Sequence, residues 1–172
     1  MKQPTALLLL AFAGNALATP LIEPLQLISD HTLPTAQLQA QILAAKRYDS
    51  FWNTGDEALA KQALASDFTD MTLPAGRIQG IRGALQASKT FRQAVPDLRC
   101  EVAQMIVTGD RVVAHLRFSG HFTGRFQGKQ GKGEPIDFIA TDIYQIKQGS
   151  ITANWHIEDN LTLLQQLGIV TM

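Results

Sequence analysis

The feature that most constrains the fold is a change in hydrophobic periodicity near Pro96. Before it, apolar residues such as Leu38, Ile42 and Ala45 recur at three- and four-residue steps, which is typical of amphipathic helices. After it, apolar and polar residues alternate, as they do in strands that bury one face. Helices followed by an antiparallel meander indicate an α+β fold rather than an alternating α/β fold.

The same patterns divide the chain into elements. The predicted helices lie at residues 35–56, 56–65, 81–95 and 161–168. The two predicted strand hairpins lie at residues 98–122 and 136–159. The segments with little regular pattern, which we expect to be loops, are residues 67–80 and 123–135. Three or four strands cannot bury both faces, so the helices must cover one side of a curved antiparallel sheet and form a cup.

The N-terminus has the layout of a secretory signal peptide. A cationic residue precedes an apolar run, and a small-x-small pattern ends at Ala18. The run is too short to span a bilayer with margin, so we expect no stable membrane insertion after the signal is removed. We expect residues 1–18 to be cleaved near Ala18-Thr19, residues 19–34 to form an extended arm, and residues 35–172 to form one periplasmic or secreted domain.

Charge and cysteine content argue against several function classes. The 172 residues carry 15 Lys and Arg against 15 Asp and Glu, so the chain lacks the basic surplus of nucleic-acid-binding proteins. Cys100 is the single cysteine, so no internal disulfide and no zinc-type Cys/His spacing is present. Phosphate-loop, dinucleotide-binding and zinc-helix motifs are also absent from the sequence. We therefore expect no metal, no cofactor and no nucleic-acid partner.

The second hairpin contains an acid and a base whose relative position depends on a register that the sequence leaves open. With a three-residue loop, Asp142 opposes Asn154, and His156 lies diagonally across on the same face, within side-chain reach. With a loop of residues 148–149 alone, Trp155 opposes Asp142 and His156 moves to the other face. Pattern slightly favours the second register, which gathers on one face Phe138, Ala140, Tyr144, Ile151, Ala153 and Ile157.

If Asp142 and His156 meet, they form a candidate catalytic pair. A carboxylate beside an imidazole raises the imidazole pKa and selects its tautomer, which gives a base that works near neutral pH. The alternative is a surface histidine and an aspartate that caps backbone groups. Further side chains are predicted to contact a ligand in the cup, with Arg117 as a candidate to stabilise an oxyanion. They are Tyr48, Trp52, Met71, Arg117, His121, Phe138 and Tyr144.

Five segments match the order and spacing of a known family. They read YDSFWNTGDEALAKQALASDFTD, FRQAVPDLRCEV, GDRVVAHLRFSGHFTGRFQG, DFIATDIYQIKQGSI and NWHIEDNLTLLQQLG. Together they resemble the SnoaL-like polyketide cyclase (ester cyclase) family from Leu38 to Gly168. The resemblance implies the cone-shaped, cystatin-like α+β fold of the nuclear transport factor 2-like superfamily. It also implies an apolar pocket between helices and sheet, and a homodimer formed through the sheet.

The resemblance also implies roles for individual residues. Its characterised cyclases close a ring by cofactor-free aldol condensation, with an acidic residue as the general acid/base. That acid falls at His156 here, after Trp155, and the family histidine before it falls at Asn154. The histidine that assists the acid falls at Asp142, so this chain carries an Asp/His pair with the types exchanged. The family pattern THTG is HFTG here, with Phe122 in place of the second histidine. The resemblance favours a register with both members of the pair inward.

These observations lead to a functional expectation with alternatives. We expect an exported enzyme that uses cofactor-free acid/base chemistry on a small apolar carbonyl-type substrate, through Asp142 and His156. Aldol-type cyclisation, isomerisation and hydrolysis all fit this description. One alternative is a non-catalytic module that binds a small apolar ligand, and another is an interaction domain that uses the outer sheet face and the Pro-rich arm.

Overall fold

Four helices, a six-stranded sheet and a small two-stranded sheet form the part of the chain that the computed structural model describes, residues 20–171. The predicted signal peptide at residues 1–18 lies outside these residues. The helices are α1 (Thr35–Thr54), α2 (Glu57–Ala63), α3 (Ile81–Ala94) and α4 (Asn160–Gln166). The strands are β1 (Leu27–Ser29), β2 (Leu64–Asp70), β3 (Arg99–Thr108), β4 (Arg111–Phe122), β5 (Arg125–Phe126), β6 (Lys129–Gln130), β7 (Glu134–Lys147) and β8 (Ser150–Glu158).

The main sheet is mixed and open, with strand order β1-β3-β4-β7-β8-β2. Its four central strands form the antiparallel meander that the alternation predicts. The two outer strands run parallel to their neighbours, β1 to β3 and β2 to β8. The α+β class is therefore confirmed, whereas the prediction of an antiparallel sheet with three or four strands is wrong.

Strand β2 shows why the strand count is wrong. The prediction of a loop from residue 67 fails because residues 67–70 belong to β2, which pairs with β8. This pairing is interrupted between Leu64 and Thr69, and only Leu64 and Phe68 of the strand are buried. A strand with so few buried residues and an irregular register carries no two-residue hydrophobic period. The predicted loop at 123–135 likewise contains the short β5–β6 hairpin.

Alternation along the long strands separates a buried concave face from an exposed convex face. On β7, the even-numbered residues from Ile136 to Ile146 are buried. Helix α1 packs against this concave face and ends at Gly55, which has a φ of 79°. The Gly55 N–H donates to the carbonyl of Phe51, and this left-handed end suits glycine because it has no Cβ. The helices thus form one wall of a cup and the sheet forms the other.

The hairpin between β7 and β8 has the two-residue loop that the hydrophobic pattern favours. Lys147 pairs with Ser150, which leaves Gln148 and Gly149 as the loop. Their φ angles are 50° and 77°. Two successive positive φ angles are typical of the tight turns whose twist matches that of paired strands. With this loop alone, the pairing predicts His156 on the outer face.

A β-bulge at Thr152 changes that outcome. Ile151 pairs with Ile146, but Ala153 pairs with Gln145, so Thr152 is one extra residue in β8. Every later residue of β8 is shifted by one position relative to β7. His156 and Asp142 are therefore direct partners across the two strands. Neither of the two predicted registers contains this arrangement.

The convex face of the sheet carries exposed apolar side chains. Ile139, Ile143 and Ile157 are 48%, 39% and 74% exposed. The predicted two-residue register placed Ile157 among the buried residues. Ile157 lies on the convex face instead, because the bulge turns its side chain to the other side of the sheet. The homodimer through the sheet stays a prediction. No helix within residues 20–171 is long and apolar enough to cross a membrane.

Candidate active site

A cavity of about 550 Å³ opens between the concave face of the sheet and the helices α1, α3 and α4. Its size lies within the range of small-molecule sites, roughly 300–1,000 Å³. Its aromatic lining residues are Tyr48, Trp52, Phe68, Phe91, Phe118, Phe126 and Phe138. Its ionisable or amide lining residues near the sheet are Asp70, Asp142, Asn154, His156 and Glu158. The cavity is thus an aromatic cup with one polar corner.

The aromatic wall results from packing between strands and helices. The rings of Phe118 and Phe138 stack with centroids 5.3 Å apart, and Trp52 meets Phe118 edge to face. Burial raises the pKa of Tyr48 above its usual range, so its hydroxyl stays protonated. A wall of this kind favours apolar ligands and limits the entry of water.

Asp142 forms the buried centre of the polar corner. It lies on β7, and only 2% of its surface is exposed. The Asn154 amide nitrogen donates to Asp142 Oδ1 at 2.6 Å, and His156 Nδ1 lies 3.0 Å from the same oxygen. A buried carboxylate is tolerated when hydrogen bonds and an opposite charge replace the lost water. Asn154 and His156 supply these contacts.

His156 lies between two carboxylates. Its Nδ1 faces Asp142, and its Nε2 lies 3.5 Å from Glu158 Oε2. Its backbone N–H donates to the hydroxyl of Thr72 at 2.8 Å, which fixes the end of β8 against the segment after β2. Burial alone lowers the pKa of His156, but the contacts with Asp142 and Glu158 outweigh burial and raise it to about 10. These contacts favour the imidazolium form of His156, in which both ring nitrogens are hydrogen-bond donors.

A second buried acid, Asp49, lies behind the cavity on α1 and is fully buried. Tyr144 donates its hydroxyl to Asp49 Oδ1 at 2.6 Å. Asp49 Oδ2 has no hydrogen-bond partner among residues 20–171. Burial raises the pKa of Asp49 well above its usual range, although the Tyr144 hydrogen bond opposes this shift. Burial at this position therefore favours the neutral form of the Asp49 carboxyl group.

The structure brings together five of the nine predicted site residues. Tyr48, Trp52, Phe138, Asp142 and His156 all line the cavity. The two predicted catalytic residues are adjacent because of the bulge in β8, which no sequence pattern marks.

The other four residues lie outside the cavity lining, contrary to the prediction. Arg117 and His121 point to the convex side, because the inward positions of β4 belong to apolar residues such as Phe118. Arg117 forms an ion pair with Asp137 there, and His121 Nδ1 lies 2.7 Å from Asp97 Oδ2. Met71 is 51% exposed at the end of β2. Tyr144 is fully buried behind the cavity, where its hydroxyl donates a hydrogen bond to Asp49.

Three polar residues around the cavity were not singled out by the sequence. Glu158 and Asn154 share the inward face of β8 with His156, at steps of two residues. That alternation is a signal that points to both once His156 is known to face inward. Asp49 carries no such signal, because a single polar residue on a helix face is usually exposed. Within residues 20–171, no group of three or more His, Cys, Asp or Glu side chains is arranged to hold a metal ion.

Comparison with known proteins gives consistent matches. The family model of SnoaL-like polyketide cyclases matches residues 42–167. The structure of a candidate polyketide cyclase from Bacillus cereus is 40% identical, with a TM-score of 0.80 over 88% of this chain and 95% of that chain. TsrD from Streptomyces laurentii is 26% identical, with a TM-score of 0.69 over 80% of this chain and 99% of that chain. No curated protein matches the chain.

A more distant structure extends the likeness in fold. IdmH from Streptomyces antibioticus, a candidate polyketide cyclase, is 24% identical, with a TM-score of 0.64 over 73% of this chain and 96% of that chain. The family match at residues 42–167 includes every residue that lines the cavity. These matches confirm the resemblance recognised in the sequence. The chain therefore belongs to the SnoaL-like polyketide cyclase family.

Proposed function

We propose that this protein is an enzyme that uses cofactor-free acid/base chemistry on a small apolar carbonyl-type substrate bound in the aromatic cavity. Membership of the SnoaL-like family supports a cyclase- or isomerase-type function. The observation that carries the proposal is the Asp142–His156 pair, 3.0 Å apart at the polar corner of that cavity. Ring closure, double-bond migration and related reactions of carbonyl compounds share one requirement, the stabilisation of a developing oxyanion.

His156 is the group that we assign to the oxyanion. As an imidazolium it carries an N–H on both ring nitrogens, and Asp142 engages Nδ1. The Nε2–H then points into the part of the cavity next to Glu158, where it can donate a hydrogen bond to a carbonyl oxygen of the substrate. A charged donor in a site of low dielectric constant stabilises a developing negative charge more strongly than water does.

Asp142 is a positioning residue in this proposal. Its carboxylate orients the imidazole ring and balances the positive charge of His156, while Asn154 stabilises the same carboxylate oxygen. Because only 2% of the surface of Asp142 is exposed, we expect it to act through His156 rather than by direct contact with the substrate. The aromatic wall then selects apolar substrates and limits the access of water to the polar corner.

The proposal can be tested with 2-tetralone, an apolar ketone with an activated methylene group. We expect the protein to accelerate exchange of its α-hydrogens in D₂O, measured by proton NMR, above the rate in buffer. The His156→Gln variant should lose this acceleration by about 100-fold, the usual size of an acid/base contribution. The matched control is His121→Gln, which changes the same residue type outside the cavity and should leave the rate unchanged.

A binding measurement separates catalysis from simple ligand binding. Trp52 lines the cavity, whereas Trp155 lies on the convex face under Arg111. In a Trp155→Phe background, a change in tryptophan fluorescence therefore reports ligand binding in the cavity alone. We expect His156→Gln to keep its affinity for 2-tetralone while it loses exchange. If the wild type binds 2-tetralone without accelerating exchange, the non-catalytic binding module is the better description. Equal exchange rates in the wild type and His156→Gln would also contradict the proposal.

A further inference from the structure

We propose that Glu158 is the general base of the cavity, the group that removes a proton from the carbon next to the carbonyl that His156 polarises. This inference rests on the proposed function, because it supplies the partner that the imidazolium lacks. A reaction that forms an enolate needs both an acid at the oxygen and a base at the neighbouring carbon.

The position of Glu158 follows from the strand. It is the last residue of β8 and lies two residues after His156, so both side chains project from the same face. Its partner across the sheet is Ala140, which carries only a methyl group. The Glu158 side chain therefore lines the cavity, with 28% of its surface exposed.

Three carboxylates line the cavity, and two of them are already engaged. Asp142 is buried and accepts hydrogen bonds from Asn154 and His156. Asp70 accepts from the backbone N–H of Thr72 at 2.9 Å and also from its hydroxyl. Among the described residues, the Glu158 carboxylate has one polar contact, the imidazolium of His156 at 3.5 Å, and no backbone N–H or hydroxyl donates to it. It is the carboxylate that a substrate can reach.

The next residue, Asp159, is also a carboxylate but has a structural role. Asp159 caps helix α4, because its Oδ1 accepts from the backbone N–H of Thr162 at 3.0 Å. Its Oδ2 accepts from the Thr162 hydroxyl at 2.7 Å. The structural task at this junction is therefore carried out by Asp159 alone. Glu158 is left available for chemistry.

The spacing of the acid and the base suits deprotonation next to a carbonyl. His156 Nε2 and Glu158 Oε2 are 3.5 Å apart, longer than an ordinary N–H···O hydrogen bond. A carbonyl oxygen and the hydrogens on the adjacent carbon also lie side by side in a substrate. One bound carbonyl group can therefore place its oxygen at Nε2 and its α-hydrogen at the carboxylate.

The proton and the electrons balance in this step. The α-C–H bond breaks, and its proton moves to a carboxylate oxygen of Glu158. The electron pair of that bond forms the C=C bond of the enolate, and the carbonyl π pair moves to the oxygen that His156 holds. In ring closure, the enolate carbon bonds to a second carbonyl carbon of the same molecule, and Glu158 returns the proton to the new alkoxide. The substrate class is thus an enolisable ketone or ester.

The test compares three variants in the 2-tetralone exchange assay. We expect Glu158→Gln, which is nearly isosteric, to lower the exchange rate by about 100-fold. Glu158→Asp keeps a carboxylate and should retain a rate between those of the wild type and Glu158→Gln. Glu101→Gln, an exposed glutamate of β3 outside the cavity, is the matched control and should not change the rate. Circular dichroism confirms that each variant is folded before rates are compared.

The outcomes separate this inference from the proposed function. If His156→Gln abolishes exchange while Glu158→Gln stays within about threefold of the wild type, Glu158 is not the base and the role of His156 stands. If the wild type does not exceed the buffer rate, the proposed function fails and this inference fails with it. Loss of exchange in both variants, with partial activity in Glu158→Asp, is the result that we predict.

Discussion

Two buried aspartates show how differently one fold can treat the same side chain. Asp49 on α1 and Asp142 on β7 are 0% and 2% exposed. Asp49 has a phenol hydroxyl, from Tyr144, as its hydrogen-bond partner. Asp142 has an amide and a cationic imidazole, from Asn154 and His156. Burial is therefore almost equal, and the partners make the difference.

The comparison separates a structural acid from an acid of the candidate active site. A buried carboxyl without a cation is stable in its neutral form, and the charge of Asp142 further disfavours a second charge at Asp49. A buried carboxylate beside an imidazolium forms an ion pair, and this pair lines the cavity, whereas Asp49 and Tyr144 do not. Tyr144 and Asp142 stand two residues apart on one strand face, yet they belong to these two different systems.

The largest expected effect contrasts Asp142→Asn with Asp49→Asn in the 2-tetralone exchange assay. Asp142→Asn removes the carboxylate that keeps His156 protonated and oriented, so we expect the rate to fall by about 100-fold at neutral pH. Its rate should also decline at a lower pH than that of the wild type, because the pKa of His156 falls. Asp49→Asn should leave both the rate and the pH profile unchanged. Equal losses in the two variants would remove the distinction between the two acids.

The pH dependence of stability is the next effect. The pKa of His156 rises from 6.5 in the unfolded chain to about 10 in the folded protein, so the folded state binds this proton more tightly. The resulting stabilisation is complete below pH 6.5 and is lost as the pH rises toward 10. We expect the free energy of unfolding of the wild type to exceed that of His156→Gln by a margin that shrinks by roughly 1–3 kcal/mol over this range. Urea unfolding at several pH values measures this margin, and a constant margin would contradict the shift.

A smaller effect concerns the hydrogen bond of Asp49. Asp49→Leu removes the acceptor of the Tyr144 hydroxyl and leaves that hydroxyl buried without a partner. We expect a loss of about 1–3 kcal/mol in the free energy of unfolding, the usual penalty for an unsatisfied buried group. Tyr144→Phe combined with Asp49→Leu removes both polar groups and should recover part of this loss. If the double variant is less stable than Asp49→Leu, the penalty has another origin.

The smallest effect separates the charge of Asp49 from its hydrogen bond. The raised pKa means that Asp49 stabilises the folded state most below its ordinary pKa, and this contribution is lost as the pH rises. Asparagine keeps the acceptor oxygen and never ionises. We expect Asp49→Asn to match the wild type near pH 4 and to become the more stable protein as the pH rises toward 8, by up to about 1 kcal/mol. A melting series across this range is the measurement, and a crossover in the opposite direction would show that Asp49 is ionised.

Much of the fold could be predicted because long helices and strands show a clear periodicity of apolar residues. The helices α1 and α3 and the antiparallel meander follow directly from three- to four-residue and two-residue spacing. The parallel outer strands could not be predicted in the same way. Strand β1 has three residues and β2 has an irregular register, so neither is long or regular enough to show a period.

The candidate site depended on local geometry that the sequence does not display. The inward position of His156 requires one extra residue at Thr152, and a β-bulge at a threonine has no sequence signature. The resemblance to the family anticipated an inward-facing pair, whereas strand pattern alone predicted the opposite face. The misplacement of Arg117 had a different cause. Alternation showed which residues share a face of β4, but not whether that face was concave or convex.

The central claim is that His156 is an imidazolium held by Asp142 inside the cavity. Its pKa can be measured directly by NMR titration of the histidine ring signals, with His156→Gln used to assign the resonance. We predict a pKa of about 10 in the wild type and a clear decrease toward 6.5 in Asp142→Asn. A wild-type value near 6.5 that Asp142→Asn leaves unchanged would contradict the ion pair and the chemistry built on it.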